Sequence, residues 1–367
     1  MSRETLPTHE LTEDQVKVLQ FELMRIWAIT AHKALEDTIG EEAAVRAIAP
    51  YFKHSTSAAL VNLKARMPNM GDGIKAIAIA GAFCNQVLGI KETVGITDFG
   101  VDYRILDCPY CPCCRTFCRV HGEAGIDGFA EISGLEYRGM VHTFPEREGR
   151  SCRVILRPTE LPKHMIPENP KVLIQIPTFE IPSNESHSYM LQYLGEWWVD
   201  ATKAFEEVMD QELAEDILRE HAFNAGKNEF SPMMSRLGID RTDPSSWGSL
   251  ICKMSPISRD GIKVLVANEN EYKAEISDCP FAASPIEICQ QMEAFYDGAC
   301  QGIDPELEFH YEEMRTKGDG RCIWTLRRKR PTPRRAPEDA LEVLRHRLAK
   351  GEISIEEFDE IRKRLID

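Results

Sequence analysis

Apolar positions near the start of the chain fall at helical spacing. Val16, Leu19, Leu23, Ile26, Trp27, Leu35 and Ile39 recur as a helix with one buried stripe requires. Thr12-Glu13-Asp14-Gln15, just ahead of them, reads as a capped helix start. The pattern predicts helical structure over residues 16–49. Shorter strand-like runs follow at Val101–Leu106, Lys263–Ala267 and Tyr272–Ile276. A helix is predicted from Cys118 to Ile132 and another from Pro285 to Gly302, and final strands at Cys152–Leu156 and Cys322–Leu326. Helices grouped early and strands grouped later predict α+β domains, helices packed on a mostly antiparallel sheet.

The same text is written twice. Asp107-Cys108-Pro109-Tyr110, Cys118, Asp127-Gly128 and Cys152 return as Asp278-Cys279-Pro280-Phe281, Cys289, Asp297-Gly298 and Cys322, at a constant offset of 170 or 171. Trp27, Ala31, Lys33, Glu36 and Ala44 return as Trp197, Ala201, Lys203, Glu206 and Ala214. This pattern predicts two tandem repeats, residues 13–157 and 187–326, joined by a proline-rich connection, 158–186. A basic, proline-rich linker at 327–337 leads to a tail, 338–367, that reads as two short amphipathic helices. In the tail Leu341, Leu344 and Leu348 share one face, Gly351 stops the first helix and Ser354 caps the second. A hairpin of that length has no core of its own, so it is expected to pack against the body or a partner.

Composition narrows the function. The 367 residues carry a net charge of −15, which argues against general nucleic-acid binding. The N-terminus has no apolar leader and the longest apolar run, near Ala76–Cys84, is far short of a membrane span, so a cytoplasmic protein is expected. In a reducing compartment its 12 cysteines read as thiols, metal ligands or core residues. Nucleotide-binding loops, dinucleotide fingerprints and serine-hydrolase elbows do not occur.

The tail, with Ala340-Leu341-Glu342, Arg347-Leu348, Gly351-Glu352-Ile353 and Glu356-Glu357-Phe358, resembles the short C-terminal domain SHOCT, which implies self-association or docking of a partner protein and no chemistry of its own. The ordered set Asp278-Cys279-Pro280-Phe281, Cys289, Asp297-Gly298 and Gly318-Asp319-x-x-Cys322 resembles the L-2-amino-thiazoline-4-carboxylic acid hydrolase family, and more broadly the 4-vinyl reductase fold. The family resemblance implies opening of a small ring or amide containing nitrogen or sulfur. Such a reaction needs an activated water or a thiolate nucleophile and a proton donor. It implies Cys279, Cys289, Asp297 and Cys322 as catalytic residues. The intact glycine–aspartate turn places the activity in the second repeat. Metal-binding domains similar to the 4-vinyl reductase fold carry a further cysteine where this chain has Met314 and Phe144. Glu308, His310 or Glu312 would have to stand in for it, and His121 or His142 in the first repeat.

Cys108, Cys111, Cys113, Cys114 and Cys118, with His121 and Cys152, form a denser set in the first repeat. Such a set suits Zn²⁺ or an iron–sulfur cluster, or else redox-active or simply reduced thiols. The repeated cysteines read equally as core packing, and the Asp-Gly pairs as turn or helix-end features. Two functions stay open: a hydrolase, or a binding protein holding a small-molecule ligand or metal under its helices near Trp197, Trp198, Tyr189 and Tyr193.

Overall fold

The computed structural model describes residues 11–67, 70–97, 100–111, 114–144, 151–162, 172–173, 182–236, 243–254, 261–277, 279, 281, 286–329 and scattered positions from 347 on. The linker from 330, most of the tail, Asp278 and Cys113 lie outside the described residues. Within them the fold is α+β. The first half runs α1 (Glu13–Ile39), α2 (Glu41–Arg66), α3 (Gly73–Val87), β1 (Lys91–Thr97), β2 (Gly100–Asp107), α4 (Arg115–Arg119), a π turn (Val120–Ala124), α5 (Gly125–Ile132), β3 (Tyr137–Thr143), β4 (Cys152–Pro158) and β5 (Val172–Leu173). The second half runs α6 (Ser183–Val208), α7 (Gln211–Ala225), a π turn (Gly226–Phe230), α8 (Ser231–Arg236), α9 (Pro244–Met254), β6 (Ile262–Ala267), β7 (Glu271–Ile276), α10 (Ile286–Ile303), β8 (Leu307–Glu313) and β9 (Cys322–Arg328).

Thr12 starts α1 through a reciprocal capping box with Gln15. The predicted helical stretch is broken at Gly40, whose φ of 80° ends α1 and opens α2. An L-residue is strained there, so glycine makes the break that the apolar spacing does not reveal.

Each half builds an antiparallel sheet with the same strand order. The first is ordered β3-β4-β2-β1, with β5 added outside β1, and the second β8-β9-β7-β6. Corresponding strands keep the repeat offset: Ile105 pairs with Cys152, and Ile276 with Cys322. A bulge falls between Val141 and Thr143 in β3 and between Tyr311 and Glu313 in β8. This shared topology fits a duplicated architecture.

The halves interlock through their first helices. Trp27 of α1 reaches into the second half, edge-on to Phe295 and Tyr296 at 5.7 and 5.9 Å between ring centres. Its counterpart Trp197 of α6 reaches into the first half, against Phe52, Phe117 and His121. Trp27 and Trp198 meet between them at 4.8 Å. One apolar core therefore runs through both halves, and a smaller one lies under the first sheet. No helix among the described residues is long and apolar enough to cross a membrane.

Candidate functional site

The duplicated aspartates come first, because their geometry assigns them work. Asp127 Oδ1 accepts the Gly139 N–H at 2.6 Å, and Asp297 Oδ1 accepts the Phe309 N–H at 3.1 Å. One helical turn earlier, Glu123 accepts from the Val141 N–H and Glu293 from the Tyr311 N–H, both at 3.4 Å. Among the described residues β3 and β8 are edge strands, and these N–H groups alternate along the edge that has no neighbouring strand there. Each carboxylate pair thus ties a helix to an otherwise unpaired sheet edge. Asp297 also accepts from the Gln301 amide at 2.7 Å. Burial raises both aspartates above the usual carboxylate range, and the strand N–H pulls the other way.

The glycine beside each aspartate has its own role. A Cβ on Gly128 would lie 2.7 Å from the Lys53 carbonyl oxygen, and one on Gly298 would lie 2.1 Å from that of Phe223. Lys53 and Phe223 are themselves repeat partners, so the glycine lets α5 and α10 cross α2 and α7 closely. The Asp-Gly pairs therefore sit within helices, not in turns or at helix ends.

The repeated cysteines do converge. In the second half the Cys279 thiol hydrogen-bonds to Cys322. That bond, with the Arg315 N–H at 3.3 Å, brings Cys322 down to about 6. The same bond and burial push Cys279 up, while burial pushes Cys289 up beside them. Gly318, at φ 94°, and Asp319, which accepts the Met314 N–H at 2.7 Å, shape the loop that delivers this backbone donor. Glu308, His310 and Glu312 project from the opposite face of β8 to Phe309. There Glu308 pairs with Arg327, and Glu312 with Lys273 and Thr325.

In the first half Cys108 is hydrogen-bonded to Cys111, which with burial pushes Cys108 up. Burial pushes Cys152 up to about 12. Cys114 caps α4 by accepting the Phe117 N–H at 3.4 Å, a structural use of its sulfur. Among the described residues no group of three or more His, Cys, Asp or Glu side chains is arranged to hold a metal ion.

The halves differ in an empty space. In the first half a mostly apolar cavity of about 150 Å³ lies between helices and sheet. Its counterpart in the second half measures about 20 Å³. The walls correspond, and the residues do not: Gly122, Ile126, Val141 and Val154 of the first are Met292, Tyr296, Tyr311 and Trp324 in the second. Four larger side chains fill the second space. Trp197 and Tyr193 line the first cavity and Trp27 the second, whereas Trp198 belongs to the core between them.

Cys84, Cys108, Cys118 and Cys152 line the first cavity, whereas Cys279, Cys289, Cys322 and Asp297 line neither space. His121 is carried there by the π turn at Val120–Ala124, absent from the regular α10. Such turns often mark functional positions. Burial holds His121 neutral, well below its usual range, and its Nε2 is buried without a hydrogen-bond partner. Glu196 is raised by burial and lines the cavity as well. His121 was legible only as a possible ligand in the sequence, and Glu196 carried no signal in it.

In the tail, the Ser354 hydroxyl accepts the Glu357 N–H at 3.1 Å and the Glu357 carboxylate accepts the Ser354 N–H at 2.9 Å, a capping box at the predicted helix start. Residues 339–366 match the family model of the short C-terminal domain, SHOCT. No curated protein and no solved structure matches the chain. The amino-thiazoline hydrolase resemblance draws no support from these comparisons.

Proposed function

We propose that the protein binds a small, mostly apolar molecule in the cavity of its first half, and that SHOCT couples the bound body to another copy or a partner protein. The carrying observation is the asymmetry of two corresponding spaces, one of about 150 Å³ and one of about 20 Å³. A cavity of that size, apolar and well formed, takes a molecule on the scale of benzene. His121, held neutral by burial, and Glu196 are among the few polar groups on a mostly apolar wall. The second half supplies structure: Asp297 holds the β8 edge, and aromatic side chains occupy the space a ligand would take. The hydrolase reading has weaker support, because its four residues line neither space.

The test is a thermal-shift titration of the full chain with benzene, toluene, indole and cyclohexane. Ligand at a hundredfold its Kd stabilises a folded protein by about 2.7 kcal/mol. At least one probe is expected to give a saturable shift, and Val154→Trp, which installs the side chain present at the second half's corresponding position, is expected to remove it. A shift that survives in folded Val154→Trp would refute the assignment.

A further inference from the structure

The turn after β2 places two thiols together. The Cys111 N–H donates to the Cys108 carbonyl at 3.3 Å, closing a four-residue turn over Pro109 and Tyr110. Proline at the second position fixes the φ such a turn needs, and the turn holds its outer Cα atoms within about 7 Å. A disulfide spans about 4.4–6.8 Å between Cα atoms. The two sulfurs are already hydrogen-bonded, and each residue is half-buried rather than sealed in the core. Tyr110, between them, is anchored by its hydroxyl donating to the Leu88 carbonyl at 3.3 Å. The second half keeps Cys279-Pro280-Phe281 in its sequence but has Ala282 where the first half has Cys111, and there the Cys279 thiol hydrogen-bonds to Cys322. Cys111 is thus an addition particular to the first half's sequence.

We propose that Cys108 and Cys111 form a reversible redox dithiol that exchanges with a small disulfide such as oxidised glutathione. Cys111 is the attacking residue: Cys108 lines the cavity and Cys111, half-buried, does not. The Cys111 thiolate attacks one sulfur of the incoming disulfide, that S–S bond breaks, and one glutathione leaves as a thiolate. Cys108, giving up its proton, then attacks the Cys111 sulfur and expels the second glutathione. Two protein thiols lose two electrons to one small disulfide, and the two protons pass to the two departing thiolates. The inference does not depend on what the cavity holds.

The test uses the reduced full chain in oxygen-free buffers of stepped reduced-to-oxidised glutathione ratio, with unreacted thiols then alkylated. Trypsin releases residues 105–115, which carry Cys108, Cys111, Cys113 and Cys114. Fragmentation is expected to find all four alkylated under reducing ratios, and Cys113 and Cys114 alone alkylated under oxidising ones. The change is expected to follow a single two-electron curve, and in Cys111→Ser the Cys108 thiol is expected to remain open to alkylation or carry glutathione, with no internal bridge. Full alkylation at the most oxidising ratio would overturn the proposal. So would a bridge from either residue to Cys118 or Cys152, or stoichiometric zinc on the reduced protein that blocks the exchange.

Discussion

Asp297→Ala separates a structural carboxylate from a catalytic one. The side chain accepts a backbone N–H from β8 at 3.1 Å and the Gln301 amide at 2.7 Å. A hydrogen bond to a charged group contributes about 1.5–3 kcal/mol, and the abandoned N–H keeps its desolvation cost. The expected loss is therefore about 2–3 kcal/mol, read as a lower denaturant midpoint with an unchanged slope. Asp297→Asn keeps the Oδ1 acceptor without the charge and should recover about half of that. Asp127→Ala should lose a similar amount, because Asp127 makes the corresponding bond to Gly139 at 2.6 Å. A folded Asp297→Ala protein of unchanged stability would refute the edge-holding role and return the residue to the catalytic reading.

Two further outcomes follow from the same geometry. Burial raises Glu92 to about 8, opposed by the Asn85 amide at 2.6 Å, and its Oε1 is buried without a partner. An acid raised on folding holds its proton longer in the native state, so stability should fall as pH rises from the unfolded value near 4.5 through about 8. Glu92→Gln should flatten that slope in denaturation curves from pH 5 to 9, and an equal slope in both proteins would contradict it. Trp27→Ala and Trp197→Ala should each cost about 3–5 kcal/mol, and calorimetry should resolve two unfolding steps where the parent shows one, since each ring seals the opposite half. A single unchanged transition would mean that the halves do not depend on this exchange.

Much of the architecture was legible because duplication is visible without any physics. The repeated cysteine spacings marked the runs that became β2, β4, β7 and β9, and the structure pairs them at the same offset, Ile105 with Cys152 and Ile276 with Cys322. The edge strands were harder. In β3 only Val141 is buried, so the alternation that marks a strand is nearly absent. In β8 it is present, with Leu307, Phe309 and Tyr311 facing inward, but the intervening charges hide it from a composition-based reading. The proposed cavity left little trace in the sequence for a different reason. Conspicuous residues such as Asp297 and Cys114 turned out to complete backbone hydrogen bonds. The cavity depends on small residues, Gly122 and Val154 among them, whose meaning emerges only beside Met292 and Trp324.

The most direct measurement is diffraction from crystals of the full chain held under xenon, which enters dry apolar cavities. A xenon peak is expected in the first half, among Phe117, His121, Val141 and Trp197, and none in the corresponding second-half space beside Trp324. An empty first half, or equal occupancy of both, would contradict the account.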